Sequence, residues 1–242
     1  MKAPLDNFFV INEIQFASRK GRIPPLVNKV LKRLNLSYEF KKKINPSADM
    51  ATLEQRINYY HLLTSVISEK TEGDVVELGC FNGQCAMLFQ KTLNSLNSVK
   101  KLHLFDSFEV KFEITGSVED ELINNFKNNG LQLPIIHKGL FEKTLATDLP
   151  DKIAFAHVDC GFGGDVTDHK TIVLYCLEEI YKRLSKGGKC VMMDYHDVGL
   201  KDPGNDYNPG VKLACDDFFS DKPEQIICLY GGESSHGYFK KL

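Results

Sequence analysis

The chain of 242 residues carries 30 basic and 32 acidic side chains, a formal net charge of −2, with 43% hydrophobic and 26% charged residues. This is the usage of an ordinary globular domain, and it excludes collagenous, low-complexity and strongly charged disordered chains. No apolar run approaches the roughly 20 residues needed to span a bilayer, and the start, MKAPLDNFFVINEIQF, has an acid at Asp6 and makes a poor signal peptide.

Between Arg19 and Lys43 nine Lys/Arg stand against Glu39 alone, so this segment is strongly basic and the remainder acidic. Ile23, Leu26, Val27, Val30, Leu31 and Leu34 recur at helical spacing, with Pro24 and Pro25 at the start. A solvated helix face or an anion-attracting arm both satisfy that pattern. Residues 1–50 are expected to form a helical extension, a lid or an oligomer contact, ahead of a single domain over 51–242. Ala51–Lys70 reads as an amphipathic helix. From residue 73 short apolar runs alternate with helical patterns: a strand at Asp74–Leu78, a helix at Gly83–Leu96, and a strand at Lys101–Asp106. A helix over Ser117–Asn129 follows, with Ser117 as N-cap and Gly130 past its end. Then come strands at Pro134–His137 and Ile153–Asp159, a helix near Asp168–Ser185 closed by Gly187-Gly188, and a strand at Lys189–Asp194. A helix near Pro209–Phe219 and strands at Gln225–Tyr230 and Gly237–Lys241 end the chain. Alternating strands and helices predict an α/β fold, a Rossmann-like, mostly parallel doubly wound sheet, here seven-stranded with an antiparallel C-terminal hairpin at its edge. Seven cysteines, an odd number with no Cys-x-x-Cys pair, argue against a disulfide framework or a paired-cysteine zinc site and point to buried thiols in a reducing cytoplasm.

Ligands of such sheets bind beyond the carboxyl ends of the strands at the switch point. The first strand ends in Glu77-x-Gly79-x-x-x-Gly83. Gly79 lets the backbone turn and a ligand approach, and Gly83 lets the following helix start close to the strand. Dinucleotide sites place a glycine where Glu77 stands, because pyrophosphate needs bare N–H groups. A carboxylate there suits a ligand without pyrophosphate and with positive charge, as in S-adenosylmethionine. Asp106, followed by Ser107, ends the second strand, where an acid can accept from both ribose hydroxyls.

The tracts GDVVELGCFNGQCA, LHLFDSFE, HKGLFEKTL, IAFAHVDCG, LSKGGKCVMMDY and PGVKLACDDFF, in that order, resemble the macrocin O-methyltransferase family, over roughly Met50 to the C-terminus. That resemblance implies a class I S-adenosylmethionine-dependent methyltransferase acting on a hydroxyl of a sugar, glycoside or related polar metabolite. It implies that Glu77, Gly79, Phe81 and Gly83 line the methionine end of the cofactor, that Asp106 and Ser107 hold the ribose, and that Gly139, Leu140 and Phe141 lie by the adenine. It also implies a magnesium-type ion held by carboxylates at the tips of the fourth and fifth strands, here Asp159 and Asp194, and oxygen ligands suit so hard a cation. Two positions depart from the family pattern: Asp159-Cys160-Gly161 replaces Asp-x-Asp, and Met193-Asp194-Tyr195 replaces Asp-Asp-Tyr. A thioether is a poor magnesium ligand.

Deprotonation of the acceptor then falls to the ion, bound with or without Asp197, or to a protein base, for which His196 and Asp159 are the candidates. His157, inside the fourth strand, reads as a core histidine. The expected partners are a small hydroxylated acceptor and further copies of the chain, with neither nucleic acid nor membrane. A non-catalytic cofactor-binding or assembly protein is the alternative, motivated by Met193 and Gly161.

Overall fold

The computed structural model describes residues 23–38, 50–112, 114–160, 164–196, 208–232 and 235–242. The chain divides into two compact units, Met1–Met50 and Ala51–Leu242. In the first, helix α1 (Ile23–Arg33) carries two prolines in its opening turn, where a missing N–H costs nothing, and Lys32 and Arg33 in its last turn, where they oppose the helix dipole. Asn35, left-handed at φ 54°, ends it.

The second unit is a seven-stranded sheet in the order β3-β2-β1-β4-β5-β7-β6. Its strands are β1 (Asp74–Leu78), β2 (Leu102–Asp106), β3 (Ile135–Lys138), β4 (Ile153–Val158), β5 (Leu184–Met193), β6 (Ile227–Leu229) and β7 (His236–Lys240). The first five run parallel, while β7 is antiparallel to both β5 and β6. The expected C-terminal hairpin therefore forms, with its second strand inside the sheet and only β6 at the edge. Chain order reverses between β1 and β4, the switch point of the doubly wound sheet.

Helices α2 (Leu53–Ser68), α3 (Gln84–Ser95), α4 (Val118–Asn128), α5 (Phe141–Asp148), α6 (Val166–Arg183) and α7 (Pro209–Phe219) complete the unit. α2 and α3 cover one face, where Phe89 packs edge-on to Phe155 and tilted against Tyr59. α5, α6 and α7 cover the other, burying Val76, Leu78, Ala156, Val158, Leu177, Ile180, Met192, Ala214 and Phe239 in one core. Because successive strand residues point to opposite faces, the residues between these, Glu77, His157 and Met193, fall to the α2/α3 side.

The sequence reading places most elements within a residue or two and misses α5. That eight-residue helix begins at Leu140, whose side chain makes no capping bond, so the usual start signal is absent. β5 begins at Leu184, not Lys189, because residues 184–188 bulge out between the pairs Ile153↔Leu184 and Phe155↔Lys189. Gly187 and Gly188 then pair with Lys241 at the end of β7 rather than closing α6. Among the described residues, no helix is long and apolar enough to cross a membrane, and all seven cysteines are free thiols.

Thr52 opens α2 with a capping box, accepting from Gln55 N while Gln55 Oε1 accepts from Thr52 N, and its hydroxyl donates to Gly231 O beside β7. Thr52→Ala removes both the cap and that tie, and should lower the urea-unfolding free energy by about 1–2 kcal/mol; Thr52→Ser should restore most of the loss.

Candidate active site at the carboxyl ends of the strands

The loop after β1 is held by Asp106, the last residue of β2. The N–H groups of Cys80 and Phe81 donate to its Oδ2 at 2.9 Å each, and that of Phe108 donates to Oδ1 at 2.7 Å. A carboxylate offers about four acceptor positions, so one remains beyond these three. Phe81 and Phe108 sit in the left-handed region, φ 46° and 58°, a strained conformation for a bulky residue that concentrates at functional loops. Phe112, half exposed, packs edge-on to Phe81 at 5.1 Å. The Gly139 N–H donates to the carbonyl of Asp106, bringing the start of α5 alongside, with Leu140 exposed. Asp106, Phe81, Gly139, Leu140 and Phe141 thus gather at one rim, and Ser107 follows with its hydroxyl accepting from Glu109 N.

The two motif glycines have packing reasons beyond those the sequence suggests. A Cβ on Gly79 would lie 1.8 Å from the carbonyl oxygen of Asp159, so this glycine (φ 79°) both makes the turn and admits the neighbouring strand. A Cβ on Gly83 (φ 83°) would meet Leu122 and Phe126, so it admits α4, which also ties down the loop through Asn125 Nδ2 donating to Asn82 O.

Glu77 does not line an open cleft. It is 1% exposed, and its Oε1 pairs with Nδ1 of His157, its register neighbour on β4, at 2.9 Å. Burial raises the pKa of Glu77 against the pull of His157. The core position expected of His157 is observed, with Glu77 as a partner of its Nδ1 that the sequence does not indicate.

Asp159 and Asp194 follow immediately after β4 and β5. Asp159 is exposed to solvent, yet enough protein surrounds it for desolvation to act on its carboxyl. Crowding and the charge of Asp194, with smaller contributions from Glu77 and Asp106, push its pKa from 3.8 up to about 7. Asp194, left-handed at φ 57°, accepts from Asn208 Nδ2 at the start of α7. Met193, where the family pattern has a carboxylate, turns its sulfur to the hydroxyl of Tyr59. His196 is buried, with Nδ1 at 2.9 Å from Ser235 Oγ; Asp197 and Gly161 lie outside the described residues.

No family model matches this sequence, and no curated protein does. Solved structures do. The O-methyltransferase NovP superposes with a TM-score of 0.62 at 20% identity, over 80% of this chain and 83% of NovP. The SAH-bound methyltransferase PaMTH1 of Podospora anserina gives 0.58 at 15%, over 100% and 99%. CalS11, a TDP-rhamnose 3′-O-methyltransferase of calicheamicin biosynthesis, gives 0.55 at 16%, over 99% and 96%. The fold is that of these methyltransferases.

A carboxyl whose pKa stands near 7 in the folded state and near 3.8 in the unfolded chain keeps a proton that unfolding releases. Stability therefore falls as pH rises from about 4 to 7. Asp159→Asn fixes the neutral state. Solvent screens the repulsion, so at pH 8 the variant should melt about 2–4 °C above wild type, the shift of roughly 1 kcal/mol, and the two should coincide below pH 4.

Proposed function

We propose that the chain is an S-adenosylmethionine-dependent O-methyltransferase acting on a hydroxyl of a sugar, glycoside or related polar metabolite. The observation that carries this reading is the pair of carboxylates, Asp159 and Asp194, at the β4 and β5 tips, beside the loop held by Asp106, in a fold shared with NovP, PaMTH1 and CalS11. That CalS11 acts on a nucleotide-linked sugar supports the acceptor class.

The residues fit the cofactor. Asp106 keeps an acceptor position for a ribose hydroxyl, and the exposed side chains of Leu140 and Phe112 offer apolar walls for a purine, with Gly139, Phe141 and Ser107 adjoining. Phe81, Gly79 and Gly83 shape the loop at the methionine end. Glu77 acts from beneath, as a buried carboxyl under that loop, not as a direct ligand. When bound, the cofactor supplies a methyl group already activated by its sulfonium. The protein's part is to hold the acceptor oxygen in line and remove its proton, and alignment can contribute up to about 7–11 kcal/mol in favourable cases.

Two oxygen donors that repel one another also fit a magnesium-type cation. Asp159 and Asp194 would hold it, and it would supply Lewis acidity toward the acceptor hydroxyl. Asn208 fixes Asp194 in position, whereas Met193, engaged with Tyr59, adds no third oxygen. Asp159, with a pKa near the working pH, is matched to receive the acceptor proton. His196, oriented by Ser235, is the second candidate. The basic segment 19–43 belongs to a unit whose role we propose to be a lid or a contact between copies in a homo-oligomer.

Calorimetric titration with S-adenosylhomocysteine tests the reading. Wild type should bind at micromolar Kd, and Asp106→Ala should weaken binding at least tenfold, about 1.4 kcal/mol. Asp159→Asn should bind as wild type does, yet turn over hydroxylated acceptors at least about 100-fold more slowly. If His196→Gln instead gives the larger loss and removes the pH dependence near neutrality, His196 is the base. Absence of binding by wild type overturns the reading; tight binding without turnover on any hydroxylated acceptor favours the non-catalytic alternative suggested by Met193.

A further inference from the structure

Below the glycine loop lies a second group of potential metal ligands, separate from the carboxylate pair. Glu77 on β1, His157 on β4 and Cys85 in the first turn of α3 each bring one ligand atom to within 4.8 Å of the other two. Glu77 and His157 are the register pair already described, with side chains 2% and 1% exposed. Their hydrogen bond uses Oε1 and Nδ1. Glu77 Oε2 and His157 Nε2 remain buried without a hydrogen-bond partner among the described residues.

Such orphans are costly. A buried acceptor with no donor forfeits about 1–3 kcal/mol, and native proteins keep few of them. The cost at Glu77 Oε2 is relieved by a cation that replaces the Nδ1–Oε1 hydrogen bond and takes one lone pair each from Glu77, His157 and Cys85, while His157 Nε2, on the far side of the imidazole, stays outside it. We propose that Glu77, Cys85 and His157 form a site for a borderline-soft divalent cation of the zinc class.

The donor set selects the metal. A thiolate, an imidazole and a carboxylate suit Zn²⁺ and disfavour Mg²⁺, which takes oxygen in octahedral array. Tetrahedral zinc spaces such donors about 3.3–3.6 Å apart, given bond lengths of about 2.0–2.3 Å, so the 4.8 Å limit needs a closure of at most about 1.5 Å. Charge is balanced as well, because a dication neutralises one carboxylate and one thiolate in a place where neither would be tolerated alone. The surroundings suit a fixed site. The ring of Tyr59 lies 4.8 Å from that of His157, and Phe89 is edge-on to it at 5.5 Å, leaving the imidazole little freedom to turn. Cys85 is only partly buried and gives the ion an entry path from the loop. Three protein ligands leave a fourth position open. Neither the site nor its test depends on methyl transfer.

The test is titration of the full-length, chelator-dialysed protein with Co²⁺, followed by absorption, then displacement by Zn²⁺. Wild type should take up one Co²⁺ per chain with a near-ultraviolet thiolate-to-cobalt charge-transfer band, displaced by Zn²⁺ and untouched by millimolar Mg²⁺. Cys85→Ser should lose the band and bind Zn²⁺ at least tenfold more weakly, while its circular dichroism matches wild type. His157→Gln should keep the band at lower Co²⁺ affinity, and serves as the decisive variant should Cys85→Ser not fold. Absence of the band in wild type overturns the proposal. So does a band of equal strength in Cys85→Ser, which would place cobalt on one of the six other thiols, or equal affinity in His157→Gln.

Discussion

The carbonyl oxygen of Asp159 occupies the space in which a side chain at position 79 would begin, 1.8 Å from the Cβ that Gly79 lacks. Because position 79 carries only hydrogen, the parallel pair β1/β4 stays in register to its end, with Asp159 N donating to Leu78 O at 2.8 Å while Gly79 N donates to Phe105 O on the other side. The loop after β1 is then forced up and over. Its next two N–H groups find no strand partner and are taken by Asp106. One steric fact at the switch point thus sets the height of the loop, the position of Asp106 and the point at which Asp159 emerges. Any larger residue at 79 would part the central strands before it touched a ligand.

The two faces of the sheet are unequal in a way that bears on function. Toward α5, α6 and α7 the strands present aliphatic side chains, thiols and Phe239. Toward α2 and α3 they present Glu77, His157, Met193 and His236, with Tyr59 inserted among them. Burial pushes the Tyr59 hydroxyl well above its usual range, with the nearby charges of Asp159, Asp194 and Glu77 adding to it, and it depresses His236 to about 3. At neutral pH this face therefore holds Tyr59 and His236 uncharged, and the negative charge concentrates on the few carboxylates at its upper rim. Buried polar groups of this number cost stability relative to an apolar core. The opposite face, with its continuous apolar packing, offsets that cost, which is why the polar face can be shaped by chemistry.

How much of this the sequence discloses follows from the range of each interaction. Periodicity and caps are local, so the strand–helix alternation and the Ser117 cap of α4 are legible, as are the carboxylates just beyond β4 and β5. Strand register is not local. That Glu77 meets His157, eighty residues away, depends on how β1 and β4 align, and a one-residue slip would send one of them to the other face. The same limit applies to Gly79 and Gly83: the pattern marks them as special, but whether a ligand, a strand or a helix needs the vacant space is settled by what packs there. The bulge that starts β5 at Leu184 and draws Gly187 and Gly188 to β7 is likewise a tertiary decision, and no glycine pair declares it in advance.

Met193 joins these threads. A carboxylate at that position would face Tyr59 and His236 within a region whose acids already raise one another's pKa. A third negative group would be bearable only with a cation permanently present. With a thioether there, the hydroxyl of Tyr59 has an acceptor, and Asp194 remains the main charge that repels Asp159. The consequence is a carboxylate pair in which one member can hold a proton near neutrality. A site with three acids at this point would have no such single proton to share, because each added charge raises the cost of the next.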